Sequence, residues 1–203
     1  EGHCISQWGH DFRPSYRRII EILHQIQSVP ILITTATATN FVKEDIQKQI
    51  GDKYIIKQGS LVRKNFNLYC IRTNSYDQKL IAIAENLKNE KGNGIIYVGT
   101  RTDSLVLSRW LKFVGIKAEY YNGKLDGETR KKIENNFMNN KYKVVIATNA
   151  LGMGIDKSDI RFVYHFQVPQ SLIHYYQEIG RAGRDGLESN IILFYNETKN
   201  KQG

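Results

Sequence analysis

Apolar residues recur at helical spacing at Ile19, Ile20, Leu23 and Ile26, which predicts a helix over residues 16–27. Residues 30–34 form a short run of apolar and β-branched side chains, suited to a strand buried on both faces. A second helix is predicted from a cap at Thr39 or Asn40 to a stop at Gly51. The periodicity lapses over residues 57–65, which read as a linker. Beyond it strands and helices alternate. Strands are expected at 68–72, 94–98, 118–121, 143–148, 162–166 and 191–195, and helices at 76–88, 102–114, 127–139 and 171–179. Alternation with apolar strands implies a parallel sheet with helices on both faces. In such sheets ligands gather beyond the carboxyl ends of the strands.

Composition narrows the class of protein without fixing it. The 203 residues are 41% hydrophobic and 24% charged, which is ordinary for a globular chain. No apolar run approaches the ~20 residues of a membrane span. Two cysteines without a CxxC pair indicate neither a disulfide framework nor a four-cysteine zinc site, and His3, Cys4 and His10 lack a recognised ligand spacing. A reducing compartment is expected, either bacterial cytoplasm or a nucleus. The net charge of +9 is uneven, with 22 lysines and arginines against 14 acids after residue 60. A basic excess of this kind favours a polyanionic partner.

Candidate chemistry concentrates in a few stretches. In Tyr175-Tyr176-Gln177-Glu178-Ile179-Gly180-Arg181-Ala182-Gly183-Arg184-Asp185-Gly186 two arginines stand three apart among three glycines. Fork-shaped, always-charged donors suit a phosphate chain, and the glycines suit close backbone approach or a tight turn. A surface turn with two solvated arginines is the plainer alternative for the pair alone. Ala147 to Asp156 carries a GxG with Thr148 and Asp156 beside it. Gly99, Thr100 and Arg101 follow one strand candidate and Gly123 follows another, where hydroxyl, guanidinium or backbone donors at the start of the next helix can hold a phosphate. Each of these motifs is expected just after a strand. Near the N-terminus Ser6 to Pro14 places Trp8, Phe12 and Arg13 in a polar, irregular stretch, suited to base stacking or to anchoring a loop.

These stretches, in this order, resemble the motor motifs of superfamily 2 helicases, and Ser6 to Pro14 resembles the aromatic-rich loop of the RecQ family of DNA helicases. The resemblance implies an α/β, RecA-like fold. Residues 1–56 would be the end of a first RecA-like lobe, 57–65 the linker and 66–203 the second lobe. It implies an ATP-dependent 3′-to-5′ DNA helicase using ATP and Mg2+, with single-stranded and forked DNA and a first lobe in cis as partners. Glu1 would position the attacking water, as the tail of a DEAH box. Trp8, Phe12, Arg13, Thr35 and Thr37 would couple DNA contact to hydrolysis. Thr100, Arg101, Gly123 and Thr148 would contact DNA. Gly154, Asp156, Gln177, Arg181 and Arg184 would face ATP, with Arg184 as the finger and Arg181 on phosphate or an interdomain carboxylate, or the reverse. The 203 residues contain no GxxxxGK[ST] phosphate loop, so ATP and Mg2+ would be held chiefly elsewhere and this stretch alone would not hydrolyse ATP. The alternatives are a nucleic-acid-binding protein without a motor and an RNA-stimulated ATPase.

Overall fold

The computed structural model describes residues 2, 6, 14–26, 30–35, 39–51, 54–152 and 155–196. Glu1, Trp8, Phe12, Arg13, Thr37 and Gly154 lie outside the described residues. The chain divides into two compact units, residues 1–61 and 62–203. No helix among the described residues is long and apolar enough to cross a membrane.

In the first unit α1 spans Pro14–Gln25 and α2 spans Asn40–Ile50. The Thr39 hydroxyl caps α2 by accepting from the Val42 N–H at 3.3 Å. Gly51 ends it at φ +89°, a conformation that glycine adopts without strain. The strand expected at 30–34 does not form. Residues 30–35 are irregular, and Ile31 and Leu32 stay exposed. A β-branched run becomes a strand only where a neighbour accepts its ladder, and here one backbone bond, from Gly2 N–H to Thr34 O at 2.8 Å, is made instead.

The second unit is a six-stranded sheet in the order β1-β6-β5-β2-β4-β3, parallel throughout. Its strands are β1 Phe66–Arg72, β2 Asn93–Tyr97, β3 Ala118–Tyr121, β4 Val144–Ala147, β5 Ile160–His165 and β6 Ser189–Tyr195. Its helices are α3 Tyr76–Asn89, α4 Arg101–Phe113, α5 Gly127–Met138 and α6 Leu172–Ile179. Four of these helices begin at a side-chain cap, from Ser75, Thr100, Asp126 and Ser171.

Alternation along the strands feeds two cores. Ile96, Val98, Val144, Ile146, Tyr164 and Phe194 meet Ile83 and Leu87 of α3 and Leu107 and Leu111 of α4. On the other face Ile95, Tyr97, Val145, Ala147, Val163 and Ile191 meet Phe137 of α5 and Ile179 of α6. Each fully buried side chain of this kind contributes about 1.5–3 kcal/mol. One irregularity bears on function. Asn93 pairs with Ile160 and Gly94 with Phe162, so Arg161 is an extra residue on β5. The bulge sends Ile160 and Phe162 to opposite faces and re-aims the arginine between them.

Two buried cations lie under this framework. Lys79 Nζ donates to Phe166 O and Asn196 Oδ1, both at 2.9 Å, and burial lowers its pKa. Lys157 Nζ bonds Asn140 Oδ1 and Asp159 Oδ1, both at 2.7 Å. Nothing in the sequence around either lysine marks it as buried.

Candidate functional site

The residues singled out in the second unit fall into two places. At the carboxyl edge of the sheet lie Gly99, Thr100 and Arg101 after β2, Asn122 and Gly123 after β3, and Thr148 after β4. The Thr100 hydroxyl is already engaged, accepting from Asp103 N at 3.0 Å and donating to Asp103 Oδ2 at 2.6 Å. Arg101 stands exposed in the first turn of α4. Thr148 is buried, its Oγ1 accepting from Ala150 N at 3.4 Å to shape a short 3-10 turn, Asn149–Gly152. Asn122 is buried too, its Oδ1 accepting from Lys124 N at 3.0 Å and its amide donating to Ser104.

The expectation that helix amides after Gly123 would be open to phosphate is corrected. Asp126 occupies that helix start, accepting from Thr129 N at 2.8 Å and Thr129 Oγ1 at 2.7 Å. These bonds hold its carboxyl below the usual range, and a phosphate there would meet a negative charge. Gly123 itself is exposed.

The arginine segment lies elsewhere, and the expectation that every motif follows a strand is corrected for it. It follows α6, which starts at the carboxyl end of β5 and runs back along the face of the sheet. Gly183 N therefore bonds Ile160 O at 2.9 Å and Asp185 N bonds Ser158 O at 3.3 Å, at the amino end of β5. Six residues of strand separate the two ends, roughly 20 Å. The eight-residue helix, roughly 12 Å long, and the turn after it together carry the motif back to that end.

Long-range contacts fix this segment. Gly183 sits at φ +51°, and a Cβ there would come within 2.5 Å of Asn65 Nδ2 and 2.7 Å of both Leu187 O and Ser189 Oγ. Asn65 Nδ2 donates to Gly183 O and Leu187 O, both at 2.9 Å. Arg63 Nη2 donates to Ala182 O and Gly183 O, both at 3.1 Å, and its guanidinium lies 5.0 Å above the Phe66 ring. The stretch expected to be a linker thus ends in two residues clamped to the arginine turn. Arg161, re-aimed by the bulge, donates from one Nη2 to both oxygens of Asp185 at 2.6 and 2.7 Å. That bond holds the Asp185 carboxyl below the usual range.

Within the held segment the two arginines differ. Arg184 reaches outward and pairs with Asp156 at 2.6 Å, the arginine 38% and the aspartate 89% exposed. Arg181 is half-buried and near Tyr97. Burial drives the Tyr97 hydroxyl pKa far up, and the Arg181 charge pulls it part of the way back. Gln177 lies half-buried on α6 between them and the carboxyl edge. Thr35 belongs to the first unit, in the irregular stretch 30–35.

One buried pair was not foreseen. His165 Nε2 lies 2.9 Å from Glu178 Oε2, with the ring 1% exposed. A carboxylate only accepts, so Nε2 carries the proton. The ring stacks on Tyr97 at 5.7 Å and meets Tyr175 at 4.9 Å. Arg63, Asn65, Arg161 and His165 carry no local signal, since their partners are strands or helices away.

A parallel six-stranded sheet with helices packed on both faces is the second RecA-like lobe of a helicase-type motor. The helicase conserved C-terminal domain matches residues 78–186, more than half of the sequence, and the chain belongs to that family. It is 41% identical to the ATP-dependent DNA helicase RecQ of Bacillus subtilis over 96% of its own length and 33% of the relative's. It is 40% identical to the ATP-dependent DNA helicase Q-like 2 of Arabidopsis thaliana over 96% of its length and 28% of that protein's. The chain thus spans about a third or less of the length of these two curated relatives. Among solved structures, Saccharomyces cerevisiae Dbp5 bound to RNA and ADP BeF3 superposes over 97% of this chain and 52% of that one, with a TM-score of 0.78. At 23% identity that likeness is one of fold.

Proposed function

We propose that this chain supplies the second RecA-like lobe, and the end of the first, of an ATP-dependent DNA helicase of RecQ type working 3′ to 5′. The observation that carries the reading is the exposed Arg184 guanidinium, projected from a turn that Gly183, Asn65, Arg63 and the Arg161–Asp185 pair hold in place. A preplaced guanidinium stabilises the charge that develops as the γ-phosphoryl departs, more than it stabilises bound ATP. Asp156 holds that guanidinium until a nucleotide arrives and then accepts from the ribose. Arg181, closer to Tyr97, positions the segment and neutralises phosphate charge, and Gln177 lines the same side.

The donor set fits a triphosphate. Mg2+ would sit on the phosphates and chiefly on the first lobe, as the helicase resemblance implies. Bound there, it would neutralise the β- and γ-phosphates. At the carboxyl edge the exposed Arg101 holds a strand through its phosphates, which makes binding largely independent of sequence. Closure of the lobes would then move one grip along the DNA relative to the other.

The test is Arg184→Ala in an enzyme where this chain follows a complete first lobe. Turnover with single-stranded DNA should fall about 10³-fold, while strand affinity stays within about twofold. Unchanged turnover would remove the role given to Arg184. Greater stimulation by single-stranded RNA than by DNA would move the substrate to RNA.

A further inference from the structure

The turn that carries the arginines is fastened at the amino end of β5, with the Arg181 side chain reaching back toward Tyr97, while the other cluster lies at the carboxyl edge, and a motor must make the state of one depend on the other. We infer that the His165–Glu178 hydrogen bond is the link that sets the arginine segment according to occupancy of the carboxyl edge. This positioning role rests on the motor reading above.

The contacts run without a gap. Gly99 stands beside Thr100 and Arg101 at the edge, and the Gln167 side chain packs so tightly on it that a Cβ at Gly99 would overlap the Gln167 amide. Gln167 is two residues from His165 on the same strand end, and Phe166 N bonds Tyr97 O at 2.9 Å. The His165 ring is held between Tyr97 and Tyr175, so it has little freedom to turn and moves with the strand ends. Its Nε2–H holds Glu178, at the last turn of α6. The Glu178 carbonyl in turn accepts from Arg181 N at 3.3 Å. A shift of Glu178 is therefore passed straight to the backbone that carries the arginines. The clamp by Arg63 and Asn65 acts from the amino end and has no such connection to the edge. His165 Nδ1 is buried and makes no hydrogen bond among the described residues, so the ring's one polar tie is to Glu178.

The experiment uses the same enzyme with a complete first lobe and measures ATP turnover with and without saturating single-stranded DNA. His165→Phe keeps a ring between the tyrosines and loses the hydrogen bond. Glu178→Ala removes the acceptor at a partly exposed position, where folding is retained and is checked by thermal melting. Glu178→Gln keeps an acceptor for Nε2–H. The expected result is a roughly tenfold fall in DNA stimulation for the first two variants. Unstimulated turnover and the KM for ATP should stay within about twofold, and Glu178→Gln should restore stimulation. Full stimulation in Glu178→Ala, or an equal fall of stimulated and unstimulated turnover, would overturn the inference. A wild-type enzyme that DNA does not stimulate would refute the motor reading itself, and the inference with it.

Discussion

Gly183 and Gly186 lie three apart in one turn, both at positive φ, +51° and +84°, and differ in what surrounds them. A Cβ at 186 meets nothing within 4 Å, whereas at 183 it meets Asn65, Leu187 and Ser189 at 2.5–2.7 Å. Alanine in the left-handed region costs about 1–2 kcal/mol, which is the whole expected cost of Gly186→Ala. At 183 the Asn65 amide must also withdraw, giving up two hydrogen bonds worth about 1 kcal/mol each. The Leu187 carbonyl is backbone and yields only if the turn opens. Gly183→Ala should therefore cost about 3–5 kcal/mol, a large share of the 5–15 kcal/mol typical of a domain. Urea unfolding of the chain, followed by the circular dichroism of the sheet, measures both variants. Equal losses at the two positions would refute the claim that the clamp, rather than the glycine conformation alone, holds the arginine turn.

Two further outcomes test the account. The Arg161 bond depresses the Asp185 pKa, so its stabilisation is fully present above pH ~4 and is lost as pH falls through the folded value. The stability deficit of Arg161→Gln against the wild-type chain, from urea midpoints, should narrow between pH 7 and pH 3; a constant deficit contradicts the assignment. Thr100→Val removes the α4 cap and should cost about 1 kcal/mol in the same assay, and a loss below about 0.3 kcal/mol would mean the hydroxyl is not the cap that its bond to Asp103 N indicates.

The central strands β2, β4 and β5 were legible because they are short, mainly apolar and mostly buried runs, and α2 because Thr39 and Gly51 bracket it; the edge strand β1, largely exposed, was legible only from its place in the alternation. The apolar run at 30–34 misled for the same reason, since β-propensity reports suitability for a sheet and not the presence of one. The arginines were found because guanidinium pairs among glycines are rare in cores. Their location was not, because a helix intervening after a strand returns the chain to the opposite end of the sheet. Arg63, Asn65 and Arg161 escaped notice because each acts on carbonyls or a carboxylate far along the chain. His165 was hidden at the end of a mostly apolar strand, and only the packing of α6 gives it Glu178.

The central claim is that Arg184 leaves Asp156 for the phosphates of a nucleotide held with a first lobe. A crystal structure of this chain joined to a complete first lobe, with ADP and an aluminium fluoride mimic of the departing phosphoryl group, tests it most directly. The account predicts an Arg184 nitrogen within about 3 Å of the fluoride group, with the 2.6 Å contact to Asp156 broken. Arg184 still paired with Asp156, with neither it nor Arg181 near the phosphates, would contradict it.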